Sequence, residues 1–592
     1  MKKPFQKRRT ARWCGHRVAA AIAIAAMPLL PLTALAQNAG AGAEWSTPSG
    51  TLEATRYSTL AEISSANVSA LVEEFAFPTG TRAGHQGQPL VVGSRMYIVT
   101  PYPNRLIALD LAHPGVTLWT FDPRPREYAR GVACCDVVNR GPVYADGKVI
   151  FNTLDNQTVA VDAVTGRLVW RTRLGDPTTG ETMTGAPLVV KDKVIVGNSG
   201  GELGIRGWVQ ALDLKTGKPA WKAFNTGPDA DVKIGPSFKA FYAKDQGKDL
   251  GSTSWPGTMW QQGGATAWSW FSYDPGLDLV YYGTANPGVW NPDMRPGDNK
   301  WGAAIFARRP STGEAVWAYQ LTPHDGWDYD AISESIVADL PIDGVTRKVI
   351  VHFDKNGFAY TIDRATGQVI NANKFAHVTW ADRVDLTTGA PVVNPAMVPH
   401  EGQVTKGICP SPLGAKEFVP ASFSPATNLF YVPSINFCDN LEALRAVYIA
   451  GTPFTGADLD FVPGPGGFLG ELVAWDARTG QRAWSVKEAL PMYSGTLATA
   501  GNVVFYGTLD KHFKAVDATT GKLLLDKTLE CGVIGNPITF NGADGRQRVA
   551  VYSGTGWLTG GFAGGACPRG SSEDAPPPAG SPSGMVHVFK LP

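Results

Sequence analysis

The segment AVDAVTGRLVW, at residues 160–170, shows how this chain is built. An apolar run leads to Asp162, a Thr-Gly pair follows, and a second apolar run ends in Trp170. The glycine can take the positive φ that a tight turn needs, and an aspartate side chain can accept hydrogen bonds from turn amides. The Trp ring is large and flat enough to cover a neighbouring sheet. The segment therefore predicts two strands joined by a tight turn.

This pattern, Ala-x-Asp-x-x-Thr-Gly-x-x-x-Trp, recurs along the chain. Further copies, some of them loose, start at Ala108, Ala211, Ala307, Thr361, Ala474 and Ala515. Most copies begin about 50 residues apart, and two longer intervals leave room for an extra unit. A strand-rich repeat of this length is typical of four-stranded propeller blades. The sequence predicts an all-β, eight-bladed β-propeller with tryptophan-docking motifs over residues 37–592, and unrelated turns in a β-sandwich are the alternative.

Composition supports a β-rich globular chain. The 67 Gly and 44 Pro residues among 592 argue against long helices. Hydrophobic residues make up 44% and charged residues only 18% of the chain, which excludes a disordered protein.

The first 36 residues have the features of a secretory signal peptide. They hold seven basic residues and no acid, then an apolar run at 18–35 and small residues before Gln37. The remainder carries a formal net charge of −6, against +1 for the whole chain, which gives it no electrostatic reason to bind nucleic acid. No later stretch approaches about 20 apolar residues, so we expect a periplasmic protein without a stable membrane anchor.

Cysteine usage agrees with export. Six cysteines follow the leader, and an even number in an oxidising compartment predicts disulfides. The chain contains no Cys-x-x-Cys-His motif, so any haem partner must be a separate protein.

Several longer motifs add a family resemblance. They are GVACCDVVNRG (131–141), GNSGGELGIRGW (197–208), GGATAWSW (263–270), YGTANPGVWNPDMRPGDN (282–299) and TPHDGWDYD (322–330). With the Trp repeat, these motifs closely resemble the quinoprotein alcohol dehydrogenases of the methanol and ethanol type, from about Trp45 to Pro592. The resemblance implies a periplasmic eight-bladed propeller that holds pyrroloquinoline quinone (PQQ) and a metal ion on its axis and oxidises primary alcohols.

The resemblance also implies a cofactor site. Cys134 and Cys135 would form a vicinal disulfide on one face of PQQ, and Trp268 would stack on the other face. The rim of PQQ, with its carboxylates and carbonyls, would be bound by Gln86, Arg140, Thr184, Ser199, Gly200, Gly201, Thr266, Lys355 and Asn436. Gln86 stands where many relatives have Glu, which makes its role less secure.

Two further disulfides are expected. By resemblance, Cys409 and Cys438 match a second family disulfide. A bridge between Cys531 and Cys567 is a hypothesis that the resemblance does not supply.

The implied metal ligands are Glu202, Asn286, Asp328 and Asp330. Hard cations prefer such oxygen donors. Asp328 and Asp330 are two positions apart, so in an extended segment both side chains lie on one face. Calcium-type members usually have a small or neutral residue at the position of Asp330, whereas lanthanide-dependent members have Asp. Three carboxylates also suit a trivalent ion, so we favour a lanthanide over Ca²⁺.

The implied reaction is hydride transfer from a primary alcohol to metal-activated PQQ. Asp328 would act as general base, and Lys355 would stabilise negative charge on the quinone oxygens. Methanol-type relatives carry Arg at the position of Lys355. Trp290 and Trp557 would line an apolar substrate pocket, and Tyr493 stands where methanol-type members have Trp. The electrons would pass to a soluble cytochrome c.

Two alternatives stay open on sequence alone. One is a calcium-dependent quinoprotein that acts on polyols, sugars or bulky secondary alcohols. The other is a noncatalytic propeller scaffold, although such proteins lack the Cys-Cys pair and the acidic cluster. The sequence does not establish whether the chain forms a homodimer, or which alcohol it oxidises.

Overall fold

The computed structural model describes residues 40–268, 270–562 and 584–592. The leader expected at residues 1–36 lies outside them, and so does Cys567. The described residues all belong to one compact unit. Among the helices in the described ranges, none is both long and apolar enough to cross a bilayer.

The described residues contain eight sheets that are each built on four antiparallel strands. Strands that are neighbours in a sheet are mostly neighbours in sequence as well. Sheet 1 consists of Leu90–Val92, Arg95–Val99, Leu106–Asp110 and Val116–Phe121, and sheet 2 of Val143–Ala145, Lys148–Thr153, Gln157–Asp162 and Leu168–Arg173. Sheet 3 consists of Leu188–Val190, Lys193–Gly197, Trp208–Asp213 and Pro219–Phe224, and sheet 4 of Phe271–Asp274, Leu279–Gly283, Ala304–Arg308 and Ala315–Gln320. Sheet 5 consists of Ser335–Ile342, Val345–Phe353, Phe358–Asp363 and Val369–Lys374, and sheet 6 of Ser422–Ser424, Leu429–Ile435, Gly470–Asp476 and Gln481–Glu488. Sheet 7 consists of Leu497–Thr499, Val503–Gly507, His512–Asp517 and Leu523–Thr528, with Tyr57–Ser58 added in parallel. Sheet 8 consists of Ile538–Asn541, Gln547–Ser553, Met585–Lys590 and Val72–Pro78.

Insertions and short helices decorate these sheets. Two smaller sheets comprise Ala381–Asp385 with Ala390–Val393, and Val404–Ile408 with Phe437–Ala443 and Ala457–Pro463. The α-helices are Tyr128–Gly131, Asp229–Val232, Leu250–Thr253 and Gly556–Phe562, and the 3₁₀ turns are Val68–Ala70, Pro177–Thr179, Gly201–Leu203, Ala243–Asp245, Met259–Gln262, Pro292–Met294 and Pro395–Met397. The predicted all-β class is confirmed.

The sheets follow one another in space as in sequence. The first strands of sheets 1 to 5 lie next to one another in order, as do those of sheets 6 and 7. Sheet 8 joins the two ends of the described chain, because Val72–Pro78 pairs with Met585–Lys590. Apolar side chains fill the space between sheets: the rings of Phe513 and Phe589, from sheets 7 and 8, are 5.3 Å apart.

The repeated turn has the chemistry that the sequence predicts. Asp162 Oδ1 accepts hydrogen bonds from the backbone N (2.7 Å) and hydroxyl (2.8 Å) of Thr165. The Trp of one sheet lies on the turn of the next: Trp170 Nε1 donates to the Leu214 carbonyl at 3.1 Å, beside Gly217. Equivalent bonds run from Trp119, Trp221, Trp317 and Trp484 to the carbonyls of Val164, Pro310, Arg364 and Ala518.

The Trp contact gives a stability prediction at Gly217. Gly217 and Gly147 have φ of 70° and 71°, but a Cβ at Gly217 would lie 2.5 Å from the Trp170 ring, whereas a Cβ at Gly147 would meet nothing within 4 Å. Gly147→Ala should cost about 1–2 kcal/mol of backbone strain. Gly217→Ala should cost about 1–3 kcal/mol more through overpacking. Thermal midpoints by calorimetry test this, and equal losses would contradict a packing role for the Trp contact.

His85 gives a pH prediction at the junction of the chain's two ends. Its Nδ1 donates to the Ala83 carbonyl and its Nε2 lies 2.8 Å from Thr79 Oγ1. Burial lowers the pKa of His85 from 6.5 to about 4. The folded protein therefore favours the neutral imidazole. The free energy of unfolding should be highest above pH 6.5 and should fall by about 3 kcal/mol as the pH falls towards 4. The thermal midpoint of the wild type should therefore fall more steeply from pH 7 to 4.5 than that of His85→Gln, and parallel curves would exclude this role.

Candidate functional site

One cavity of about 480 Å³ collects most of the residues that the sequence selects. It is lined by Gln86, Cys134, Cys135, Arg140, Thr184, Ser199, Gly200, Glu202, Trp268, Asp328, Asp330 and Lys355. Trp290 and Tyr493 also line it. These residues come from connections of several sheets, so the fold brings together side chains that are far apart in sequence.

Cys134 and Cys135 are joined by a disulfide in this cavity, as the resemblance implies. The pair follows the short helix Tyr128–Gly131. Cys409 and Cys438 form the second expected disulfide. Cys531 is disulfide-bonded as well, but Cys567 lies outside the described residues, so their pairing stays a prediction.

Arg140 forms a cationic, hydrogen-bonded wall of the cavity. It donates to Thr184 Oγ1 at 2.7 Å and to Gln86 Oε1 at 2.8 Å, and its guanidinium lies 4.6 Å from the centre of the Trp268 ring. Thr184 Oγ1 is in turn 2.9 Å from Ser199 Oγ. Burial lowers the pKa of Arg140 to about 9, which leaves it charged at neutral pH. A buried cation with neutral partners is suited to an anionic ligand.

Asp328 and Asp330 converge on the ammonium group of Lys355. Each carboxylate has an oxygen 2.9 Å from Lys355 Nζ. The spacing argument assumed an extended segment, but the segment turns here, because Asp328 has a φ of 63°. Asp325 stabilises this turn by accepting hydrogen bonds from the backbone N of Trp327 and Tyr329, both at 2.9 Å. The two carboxylates meet through a turn rather than through strand alternation.

Negative charge is buried here beyond what Lys355 neutralises. Burial raises the pKa of Asp328 well above its usual range, although Lys355 opposes the change. Burial, with repulsion from Asp330, raises the pKa of Glu202 to about 7. Burial alone would lower the pKa of Lys355, but Asp328, Asp330 and Glu417 together raise it well above its usual value. Such a site gains from an additional cation.

Several buried oxygen atoms in this region lack a hydrogen-bond partner. They are Asn286 Oδ1, Thr266 Oγ1 and Asp328 Oδ1. A Cβ on Gly201 would lie 3.5 Å from Thr266 Oγ1 and 3.9 Å from Asn286 Oδ1, so these two atoms face Gly201 together. The backbone N of Asn286 donates to Asp330 Oδ1 at 2.6 Å, which joins Asn286 to the carboxylate pair.

These donors fit a hard cation, which prefers carboxylate and amide oxygens. The described residues contain no group of three His, Cys, Asp or Glu side chains placed closely enough to hold an ion as they stand. The Lys355 ammonium lies between Asp328 and Asp330 instead. A metal ion would therefore bind by displacing or shifting this ammonium.

Five expected residues are not among those that line the cavity: Gly201, Thr266, Asn286, Asn436 and Trp557. The amide of Asn436 donates to the carbonyls of Pro465 and Phe468, both at 2.9 Å. Trp557 is 49% exposed, and its backbone N donates at 3.2 Å to Oδ2 of Asp136, which does line the cavity.

Sequence reasoning missed Glu417 and Phe418, which both line the cavity. Glu417 Oε1 is 3.5 Å from Lys355 Nζ. The Phe418 ring lies 4.4 Å from the Arg140 guanidinium carbon. The available signal was the Lys416-Glu417 pair in a mostly apolar stretch shortly after Cys409, but no repeat or motif singles out Glu417.

Comparisons with known proteins identify the family of the chain. A PQQ family model described as glucose/ethanol/alcohol dehydrogenase, beta-propeller domain, matches residues 45–379 and 470–549. The chain is 50% identical over 507 residues to a lanthanide-dependent methanol dehydrogenase of Methylacidiphilum fumariolicum (strain SolV), covering 85% of this chain and 83% of that protein. It is 43% identical over 526 residues to methanol dehydrogenase [cytochrome c] subunit 1 of Methylobacterium organophilum, covering 86% and 84%.

A solved structure is similar over nearly the whole chain. A europium-containing methanol dehydrogenase superposes with a TM-score of 0.88 at 46% identity, covering 93% of this chain and 98% of that one. The family model spans well over half of the sequence, and the relatives match over most of their length. The chain therefore belongs to the β-propeller family of PQQ-dependent glucose, ethanol and alcohol dehydrogenases, and it is an oxidoreductase of the alcohol dehydrogenase class.

Proposed function

We propose that this chain is a periplasmic, lanthanide-dependent quinoprotein that oxidises primary alcohols to aldehydes. The observation that carries the proposal is the buried excess of carboxylates at Glu202, Asp328 and Asp330, beside the unpartnered Asn286 Oδ1. Glu417 offsets the charge of the Lys355 ammonium. A trivalent ion then neutralises the three remaining carboxylates, whereas a divalent ion leaves one negative charge. The name of the M. fumariolicum relative supports the same metal class.

The cofactor would lie in the 480 Å³ cavity. PQQ, when bound, supplies an acceptor for the hydride of the alcohol carbon, and the metal ion supplies Lewis acidity. The Cys134-Cys135 disulfide and Trp268 line the cavity and would pack against the flat ring system. Arg140, with Thr184, Ser199 and Gln86, would bind carboxylates at its rim.

The chain's own residues provide the proton and charge chemistry. Asp328 has an unpartnered Oδ1 and would accept the hydroxyl proton of the alcohol there. Lys355, held 2.9 Å from Asp328 Oδ2, would donate to oxygen atoms that gain negative charge. The Trp290 side chain, whose Nε1 is buried without a partner, would border the substrate.

We also propose that the eight sheets are the blades of a closed propeller. The pairing of Val72–Pro78 with Met585–Lys590 supports closure, since it joins an early and a late strand of the chain in one sheet. The Trp-to-carbonyl bonds between successive sheets support tryptophan docking. At one junction Asn371 takes the place of Trp, and its Nδ2 donates to the Ala477 carbonyl at 3.1 Å.

Export and electron transfer complete the proposal. The basic and then apolar residues 1–36 would be a cleaved signal peptide that directs the chain to the periplasm. The electrons would pass to a soluble cytochrome c, because the sequence has no haem attachment motif and a relative's name includes cytochrome c.

Metal-resolved reconstitution tests the function. The cofactor-free protein is loaded with PQQ and either La³⁺ or Ca²⁺, and dye-linked oxidation of methanol, ethanol, an aromatic alcohol and a polyol is measured with elemental analysis. We expect activity with La³⁺ on primary alcohols. Activity with Ca²⁺ alone, or on the polyol alone, would favour the calcium-dependent alternative, and failure to bind PQQ with either ion would favour a noncatalytic scaffold.

A further inference from the structure

Lys355 is the shared counter-ion of two proposed metal ligands. Its Nζ lies 2.9 Å from both Asp328 Oδ2 and Asp330 Oδ2, and its side chain is 2% exposed. A multivalent cation bound by these carboxylates would repel the ammonium group at close range. The ammonium therefore needs another anionic partner if it is to stay charged and buried beside the ion.

Glu417 is the third carboxylate that Lys355 contacts among the described residues. Its Oε1 is 3.5 Å from Lys355 Nζ, longer than the two aspartate contacts. Its Oε2 accepts a hydrogen bond from the backbone N of Phe418 at 3.1 Å, which fixes the orientation of the carboxylate. Glu417 is not one of the oxygen donors grouped around Asn286, so its contact with Lys355 can persist when an ion occupies that group.

The adjacent Lys416 does not compete for the Glu417 carboxylate, which also interacts electrostatically with Arg140. Lys416, which precedes it, is paired with Glu334 Oε2 at 2.9 Å rather than with Glu417. The backbone of the same segment holds Lys355 in place, because the Ala415 N donates to the Lys355 carbonyl at 2.9 Å. Gly414 packs against the Lys355 stem, where a Cβ would lie 2.5 Å from Cγ. The stem is thus fixed, so a change of partner would have to take place at the ammonium end.

We propose that Glu417 is a positioning residue that takes over Lys355 from Asp328 and Asp330 when a metal ion binds. This rests on the proposed function, because it assumes that the two aspartates are metal ligands. In the metal-free protein, Lys355 is the counter-ion of the aspartates. In the metal-bound protein, Glu417 holds the ammonium away from the ion and beside the cofactor cavity, so that metal binding does not leave an unpaired buried charge.

A double-mutant cycle tests this role through metal affinity. Glu417→Gln keeps an oxygen that can accept from the Phe418 N and removes only the charge. In PQQ-loaded protein, it should weaken La³⁺ binding about tenfold, measured by equilibrium dialysis with elemental analysis. In a Lys355→Met background no ammonium needs a new partner, so the same change should weaken binding less than about twofold.

Several outcomes separate the alternatives. Equal weakening of La³⁺ binding in both backgrounds would show that Glu417 acts only as a general negative charge. No weakening in the background that retains Lys355 would exclude any role of Glu417 in metal binding. Either result overturns the proposal. Glu417→Asp, which retains the charge, should bind La³⁺ more tightly than Glu417→Gln, and it provides a test if Lys355→Met does not fold. Wild-type protein that binds no La³⁺ or PQQ would instead overturn the proposed function.

Discussion

Asp330→Asn should weaken the binding of La³⁺ far more than the binding of Ca²⁺. Asparagine keeps the shape of the side chain and an oxygen that can accept from the Asn286 N, which lies 2.6 Å from Asp330 Oδ1. The substitution removes one negative charge. One pair of unit charges at 4 Å is worth about 4 kcal/mol at an effective dielectric of 20, and a trivalent ion has one such unit more than a divalent ion. The preference for La³⁺ over Ca²⁺ should therefore fall about 10²–10³-fold.

Competition dialysis of PQQ-loaded protein against both ions measures this preference directly. Asp136→Asn is a matched control. Asp136 also lines the cavity, but it accepts from the backbone N of Val137 at 2.7 Å and of Trp557 at 3.2 Å, and the carboxylates paired with Lys355 among the described residues are Asp328, Asp330 and Glu417. It should change the preference little. An unchanged La³⁺ to Ca²⁺ ratio in Asp330→Asn would exclude Asp330 as the residue that selects the metal.

The fold was predictable where the chemistry is local. Asp162, Thr165 and Gly166 form their turn through contacts within a few residues, so a short repeated pattern is enough to identify it. The pairing of Val72–Pro78 with Met585–Lys590 was not predictable in this way. It joins segments about 500 residues apart, and neither segment carries a copy of the repeat.

The site residues also divide into those that a sequence motif identifies and those that depend on contacts distant in sequence. Asp328, Asp330 and Lys355 were identified because they lie in recognisable motifs, and the structure brings them together. Glu417 was missed because its role depends on where Lys416 points. In sequence these two charges look like a neutral exposed pair, but Lys416 is turned to Glu334 and is buried.

Asn436 stays a prediction. The family position makes it a cofactor contact, and in the structure its Nδ2 donates to the backbone carbonyls of Pro465 and Phe468. A motif carries over a residue type, but only the local backbone decides whether the side chain points into the cavity.

Asp328→Asn should reduce kcat about 10²–10⁴-fold, because the amide cannot accept the alcohol proton. The effect should persist at saturating La³⁺ and PQQ. Asparagine still offers an oxygen in place of the buried, unpartnered Asp328 Oδ1, so the variant should bind both groups, although more weakly. Elemental analysis and the PQQ absorbance of the loaded protein establish occupancy before kcat is measured.

The activity of the two aspartate variants in excess La³⁺ should therefore distinguish the roles of Asp330 and Asp328. Asp330 is proposed to act through affinity, so excess La³⁺ should restore much of the activity of Asp330→Asn. Asp328 is proposed to take part in the reaction itself, so excess La³⁺ should leave Asp328→Asn inactive even when it is fully loaded. If high La³⁺ restored both variants equally, Asp328 would be only a ligand. The proton acceptor would then have to be sought among the other carboxylates that line the cavity, Asp136, Glu202 and Glu417.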